Sequence, residues 1–131
     1  MRKSLAGPAI AAFALLSGCA SLPADGGSGL LLGQLGAGIM GRAAAERLGN
    51  TDARRALEAE YRALEHAEPG EQVDWKGTRP QTDGTATAGQ PFQVGAQNCR
   101  QLSHRIRFAG VEQVFSGSAC RKPDGSWTPV G

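Results

Sequence analysis

The sequence is poor in aromatic residues, histidine and cysteine, and it contains no apolar run long enough to cross a membrane as a helix. Its 131 residues include four Phe, two Trp, one Tyr, two His and three Cys. So few large side chains limit the core that a small domain can bury, and a covalent cross-link is expected to help. Because a transmembrane helix takes about 20 apolar residues, a free-standing single span is not predicted.

The chain also lacks a large excess of either positive or negative side chains. The formal net charge is +2, and Arg2 and Lys3 account for it, because the rest of the chain has twelve basic and twelve acidic side chains. The composition therefore does not predict a basic surface, and we expect no nucleic-acid partner.

The N-terminus has the pattern of an export signal. Three residues with two basic side chains precede an apolar stretch over residues 5–16, which has the length of a signal-peptide core. The next residues, Leu16-Ser17-Gly18-Cys19, resemble the lipobox of bacterial lipoproteins. The resemblance implies that residues 1–18 are a signal peptide and that the thiol of Cys19 receives a lipid. The alternative is an ordinary buried cysteine after a short apolar helix.

Two segments rich in small residues follow. Residues 19–28 have the composition of a flexible tether between lipid and protein. In residues 29–49 a small residue recurs at every fourth position, which on a helix forms a stripe that another helix can approach closely. The pattern looks like a glycine zipper and predicts a homo-oligomer, whereas the alternative is a flexible linker, because glycine is unfavourable inside helices. The stripe consists of Gly29, Gly33, Ala37, Gly41, Ala45 and Gly49.

The clearest helix begins at the capping residues Asn50-Thr51-Asp52 and is expected to end before Pro69-Gly70. An apolar stripe predicts the face that docks on a sheet, and spaced charges predict a solvated face. The stripe is Ala53, Leu57, Tyr61 and Leu64, and the charges are Arg54, Glu58 and Arg62.

Residues 71–131 are rich in strand and turn signals and predict a small antiparallel meander of about five strands. Short strands are expected around residues 72–75, 85–87, 92–94 and 126–128, with loop over most of residues 77–89. Two longer strands, over residues 98–108 and 111–121, are expected to form a hairpin. The fold class is therefore α+β: a tether and zipper, one amphipathic helix and the meander.

The hairpin also predicts a disulfide. If Ala109-Gly110 is a two-residue loop, Phe108 lies opposite Val111 and the same register brings Cys99 opposite Cys120. That position is a non-hydrogen-bonded pair, where the Cβ atoms of two strands come closest. The register further pairs Arg107 with Glu112, which predicts an ion pair.

The order of these features resembles the 17 kDa surface antigen family of bacterial outer-membrane lipoproteins. The likeness rests on the lipobox, the glycine zipper, the capped helix, and the motifs Trp75, Cys99-Arg100 and Ala119-Cys120-Arg121-Lys122-Pro123-Asp124-Gly125-Ser126-Trp127. The resemblance implies a lipid-anchored location at the cell outer membrane, facing the periplasm or the surface, and antigenicity. It implies no reaction.

The pattern of chemically active residues does not predict an enzyme, a cofactor or a metal site. His66 and His104 are isolated, and Ser116 lies in a strand rather than at a strand-to-helix turn. A structural envelope lipoprotein is therefore predicted. The alternative is a tethered binding module with an anion-binding surface on the hairpin, although the same cations also serve solubility. That surface would consist of Arg100, Arg105, Arg107 and Arg121.

Overall fold

The computed structural model describes residues 36–130, which form two helices packed on one face of a five-stranded sheet. The strands follow the order β1-β2-β3-β4-β5 and every neighbouring pair is antiparallel. The predicted α+β class and the five-stranded meander are confirmed. The elements are α1 (Gly41–Leu48), α2 (Asn50–Glu65), β1 (Gln72–Lys76), β2 (Asp83–Val94), β3 (Gln97–Phe108), β4 (Val111–Arg121) and β5 (Trp127–Val130).

The described part of the zipper segment is not one continuous helix. Residues 36–40 form a turn, and α1 has only eight residues. Gly41 and Gly49, at the two ends of α1, have φ values of 81° and 83°, which belong to the left-handed region and interrupt a right-handed helix. The prediction of a continuous helical stripe of small residues in the zipper segment is therefore wrong from residue 36 onward.

The signal peptide, Cys19, the tether, Gly29 and Gly33 lie outside the described residues. Lipidation at Cys19 and self-association through the first part of the zipper segment therefore stay predictions.

Helix α2 begins at Asn50 as predicted and buries a face made mostly of alanine. Ala56, Ala59 and Ala63 are fully buried and pack near the equally buried Ala86 and Ala88 of β2. Small side chains on both layers let the helix lie close to the sheet, which is how a chain with few aromatics builds a core. The helix ends at Glu65, four residues before the proline at which it was expected to stop.

The predicted stripe on α2 is displaced from the buried face. Ala53, Leu57 and Tyr61 are only partly buried, whereas Leu64 is buried as expected. The charged residues Arg54, Glu58 and Arg62 are exposed, which confirms the solvated face.

Strand β2 is longer than the sequence indicated. Short strands were expected around residues 85–87 and 92–94, but both belong to a single strand of 12 residues. A shift in register between Ala88 and Pro91 accommodates one extra residue of β2 at the place where the two short strands were expected to be separate. Because a bulge absorbs one residue without ending the pairing, a turn-like composition here does not end the strand.

The β3–β4 hairpin has the predicted register at every position. Phe108 pairs with Val111 and Cys99 with Cys120. Ala109 and Gly110 have φ values of 47° and 90°, as a tight two-residue loop requires. Arg107 lies opposite Glu112 as predicted, but the expected ion pair does not form there.

The cross-link at the far end of this hairpin is also confirmed. Cys99 and Cys120 form a disulfide with their Cα atoms 4.0 Å apart, and both residues are buried. The last turn is confirmed as well, since the Lys122 N–H donates to Ser126 O at 2.7 Å before β5 begins. In this turn the hydroxyl and N–H of Ser126 donate to Asp124 and lower the pKa of its carboxyl.

Candidate functional site

The four arginines that the alternative interpretation groups into an anion-binding surface lie in two separate places and already have partners. Arg105 and Arg107 are on the face of the sheet that the helices leave open. Arg105 Nε is 3.3 Å from Glu112 Oε1, and Arg107 pairs with Asp83 on β2. Both pairs are exposed, so they contribute little to stability.

Arg100 is buried on the opposite face and caps the end of α2. Its Nη1 donates to the carbonyl oxygens of Ala63, Leu64 and Ala67 at 2.8–3.0 Å, and its Nε donates to Gly89 O at 2.9 Å. The last carbonyls of a helix have no partner within the helix, and a cation is favourable there. Arg100 therefore serves the fold, and its assignment to a surface is wrong.

Arg121 binds a carboxylate at the same end of α2. Its Nε and Nη2 donate to the two oxygens of Glu65 at 3.0 and 3.2 Å, and Trp127 Nε1 donates to the same carboxylate at 2.7 Å. Burial alone would raise the pKa of Glu65, but the hydrogen bonds from Arg121 and Trp127 outweigh it and hold the pKa below the ordinary value.

These contacts give the repeated Cys-Arg dipeptide a physical meaning. Each cysteine of the disulfide is followed by an arginine that attaches the sheet to the C-terminal end of α2. Arg100 donates to backbone carbonyls at the end of the helix, and Arg121 donates to the carboxylate of its last residue, Glu65. The cross-link and the helix end therefore form one structural unit.

Arg100→Lys is expected to lower the free energy of unfolding by about 1–3 kcal/mol, because an ammonium group cannot reach carbonyls on both sides of the guanidinium at once. Urea unfolding measures the loss. Arg105→Lys, a change of the same kind further along the same strand but on the exposed face, should leave stability within about 0.5 kcal/mol. Equal effects of the two variants would contradict the capping role.

Glu65 makes stability depend on pH in the acid range. Its folded pKa lies below the ordinary 4.5, so the carboxylate stabilises the fold above that pH and the contribution is lost as the pH falls through the folded pKa. Glu65→Gln should therefore differ most from the wild type near neutral pH, and the difference should shrink below about pH 4. Urea unfolding across this range tests it, with the exposed Glu58→Gln as control. A difference that stays constant with pH would contradict the assignment.

A buried polar network connects α2 to the sheet. Trp75 Nε1 donates to His104 Nε2 at 2.8 Å, and His104 Nδ1 lies 2.7 Å from Glu60 Oε1. Because an indole N–H is only a donor, it assigns the ring hydrogen of His104 to Nδ1, which donates to the carboxylate. His104 and Glu60 are fully buried. His104 lies within a strand that was predicted from the sequence, and it packs inside the fold, whereas Glu60 was not singled out.

The second oxygen of Glu60 holds the segment that leads in from the N-terminus. The Ile39 N–H donates to Glu60 Oε2 at 3.0 Å. Gly38 lies so close that a Cβ there would be 2.1 Å from the same oxygen, and the Ile39 side chain packs over Gly117 of β4. The carboxylate thus docks residues 38–39 against the domain.

The junction between the two helices has a similar arrangement. Asp52 is buried and accepts hydrogen bonds from the N–H and hydroxyl of Thr78 at 2.8 and 3.3 Å. It was expected to cap its own helix but holds the β1–β2 loop instead. The neighbouring Arg79 donates to Arg47 O at 2.9 Å at the end of α1.

A groove lies between α1 and the loop after β1. It has a volume of about 420 Å³ and is lined by Arg47, Leu48, Arg79, Pro80 and Phe108, among others. The guanidinium of Arg47 stacks 4.4 Å above the Phe108 ring, and Arg79 is bound to backbone carbonyls. Its cations are therefore engaged in holding the fold.

Candidate catalytic residues are not brought together. His66 follows the last residue of α2, and His104 is buried in its network. Ser116 lies within β4, opposite Ser103. Among residues 36–130, no three His, Cys, Asp or Glu side chains are grouped as a metal site would need.

In its described residues, the chain folds into a small α+β domain: a meander cross-linked by one disulfide, with buried charged side chains that join helix to sheet. Residues 62–128 match the profile of a family described as "17 kDa outer membrane surface antigen". The match covers half of the chain and includes the end of α2 and almost the whole sheet. The chain belongs to this family, and membership supports a surface antigen role and a location at the surface or outer membrane.

Curated relatives agree with the profile. The chain is 35% identical over 79 residues to a "17 kDa surface antigen" of Rickettsia prowazekii (strain Madrid E), which covers 59% of this chain and 50% of the relative. A protein of the same description from Rickettsia bellii (strain RML369-C) is 36% identical over 70 residues, or 53% of this chain and 44% of the relative. The chain thus spans about half the length of the curated relatives it matches. No solved structure matches the chain.

Proposed function

We propose that the protein is an outer-membrane lipoprotein with a structural, non-enzymatic role as a surface antigen of the cell envelope. In this proposal residues 1–18 are removed, a lipid on Cys19 anchors the chain, and the folded domain faces the periplasm or the cell surface. The family to which the chain belongs supports the location.

The observation that carries the proposal is the buried disulfide between Cys99 and Cys120. Such cross-links form and persist in oxidising compartments, which in bacteria lie outside the inner membrane. The disulfide therefore supports export of the domain that follows the lipobox-like sequence. The disulfide also uses two of the three cysteines and leaves the thiol of Cys19 for lipid.

Anchoring by lipid agrees with the rest of the structure. In the part of the chain that the structure describes, no helix is both long and apolar enough to cross a bilayer. Two or more acyl chains hold a protein stably on a membrane, whereas one chain binds only marginally. The proposal therefore requires more than one acyl chain on Cys19.

The decisive experiment is mass spectrometry of the intact protein purified from membranes. We expect a chain that begins at Cys19, carries at least two acyl chains and lacks the two hydrogens lost on forming the disulfide. Cys19→Ala should retain residues 1–18 and lose metabolic palmitate labelling, whereas Ser21→Ala should be processed normally. A membrane protein that still carries Met1 and an unmodified Cys19 would overturn the proposal.

Fractionation on a density gradient tests the membrane. The lipidated protein should sediment with outer-membrane markers. Recovery with inner-membrane markers alone would contradict the outer-membrane assignment and leave lipidation intact.

A further inference from the structure

The β2–β3 hairpin extends past the rest of the domain as a two-stranded arm, residues 90–98, here called the β-arm. Strand β1 pairs with β2 only as far as Thr87, and β4 pairs with β3 only from Cys99. All nine residues of the β-arm are exposed. The hydrogen bonds that join this end of the sheet to α2 come from Arg100, which also binds Gly89 O, and from Arg121 and Trp127.

The β-arm carries no charge and has apolar side chains on one side. The sequence has no Asp, Glu, Lys or Arg between Asp83 and Arg100. Phe92 and Val94 are 39% and 56% exposed and, being two residues apart on a strand, point to the same face. In a protein whose acidic and basic side chains are balanced, an exposed strand pair of this kind is suited to an uncharged, partly apolar environment.

The N-terminal segment enters the domain on the same side as the β-arm. Ile39, just before α1, packs over Gly117, which lies opposite Leu102 in the middle of β3. At the other end of α1, Arg47 stacks on Phe108, beside the β3–β4 turn. Helix α1 therefore runs away from the β-arm, and the preceding chain enters from the half of the domain that carries it.

We propose that the β-arm rests on the surface of the lipid bilayer to which Cys19 anchors the chain, with Phe92 and Val94 at the boundary between headgroups and acyl chains. This inference depends on the lipid anchor proposed above. Sixteen residues separate Cys19 from Gly36, so the domain stays within about 55 Å of the membrane even if they are fully extended.

The tether explains why so small an apolar patch suffices. Two or three apolar side chains bind weakly by themselves, but an anchor holds them at a high effective concentration beside the bilayer. The absence of charge removes the cost of desolvating ions. Unpaired backbone groups at the edges of the β-arm confine it to the hydrated headgroup layer.

Pairing with a second copy of the chain is less favourable. A β-arm that added strands to a partner would need free backbone N–H groups along one edge. Pro91 removes one from β2, and β3 extends only Gln97 and Asn98 beyond its last pair with β4. Too few groups remain for a stable strand addition.

A tryptophan placed on the β-arm tests the proposal in the lipidated full-length protein. Val94→Trp is compared with Val114→Trp, a control in the middle of the open sheet face, because the two valines are 56% and 53% exposed. Each protein is reconstituted into phosphatidylcholine vesicles with and without acyl chains brominated near the headgroup. The native Trp75 and Trp127 are buried, and the wild type gives their background.

We expect Val94→Trp to show a blue-shifted emission that the brominated lipid quenches, and Val114→Trp to show neither. Unquenched emission from Val94→Trp in vesicle-bound protein would overturn the proposal. Equal quenching at both positions would also overturn it, because the open sheet face would then lie on the membrane. A blue shift that grows with the ratio of protein to lipid, without quenching by the brominated lipid, would overturn it in favour of contact with a second copy of the chain.

Failure of the anchor is distinguishable from failure of the β-arm. A protein without lipid on Cys19 does not float with the vesicles, which contradicts the proposed function before fluorescence is measured. A Val94→Trp protein that floats but whose added indole is not quenched contradicts only the contact of the β-arm.

Discussion

Glu60→Ala is expected to lower the free energy of unfolding by about 3–5 kcal/mol. The carboxylate is fully buried and accepts from His104 Nδ1 at 2.7 Å and from the Ile39 N–H at 3.0 Å. Its removal leaves one buried and one partly buried donor without an acceptor and opens a cavity between α2 and β3. Each of these losses is costly in a small domain whose total stability is itself only a few times larger.

Equilibrium unfolding in urea, followed by far-ultraviolet circular dichroism, measures this effect. Glu58→Ala is the matched control, because it removes the same side chain from an exposed position two residues away on the same helix. The control should change stability by no more than about 0.5 kcal/mol. A loss of less than about 1 kcal/mol for Glu60→Ala would contradict the buried network.

Hydrogen exchange separates docking of the entering segment from general stability. Glu60→Ala removes the acceptor of the Ile39 amide. The increase in exchange rate over the wild type should therefore be larger at this amide than at the amides of β3. Uniform acceleration across residues 36–130 would instead indicate global destabilisation without a specific role in holding residues 38–39.

The β3–β4 hairpin could be predicted almost completely because its determinants are local. A two-residue turn fixes which residues lie opposite each other, and the pairing then follows by counting along both strands. The single assumption about Ala109-Gly110 placed Cys99 opposite Cys120 and Arg107 opposite Glu112, and both positions are observed. The ion pair of Arg107 was wrong, because the strand on its other side offers Asp83.

The buried network could not be predicted, because its members are far apart in sequence and have ordinary surface chemistry. Glu60 lies on a helix with many charges, and its partners are 21 and 44 residues away. Only the packing of α2 against the sheet turns this position inward. The same reasoning applies to Arg100, which was assigned to a surface although the three α2-end carbonyls that it caps are 33–37 residues before it.

Local signals also misled where tertiary structure overrides them. Residues 77–89 were expected to be mostly loop, but β2 begins at Asp83 and absorbs the irregularity after Ala88 as a shift in register. The four-residue spacing of small residues suggested a helical stripe, but Gly41 and Gly49 use their freedom at positive φ to interrupt it.

The double variant Cys99→Ala/Cys120→Ala is expected to lower the free energy of unfolding by about 3 kcal/mol, within a range of about 2–5. The disulfide joins residues 21 positions apart and therefore limits the unfolded chain more than the folded one. Using both substitutions avoids a free thiol, and localisation should not change because Cys19 is untouched. Urea unfolding of the oxidised wild type, the reduced wild type and the variant measures the effect, and the last two should agree.

The matched control is Gln101→Ala/Ser118→Ala, which replaces the next pair on the same face of the same two strands. It should change stability by much less than the cysteine pair, because one residue is exposed and the other is only partly buried. The disulfide also closes the base of the β-arm, since β4 pairs with β3 only from Cys99 onward. Its loss should therefore accelerate hydrogen exchange first at Arg100 and Ala119, before β1 responds. An unchanged unfolding midpoint in the double variant would mean that the hairpin and the contacts of α2 hold this end of the sheet without the cross-link.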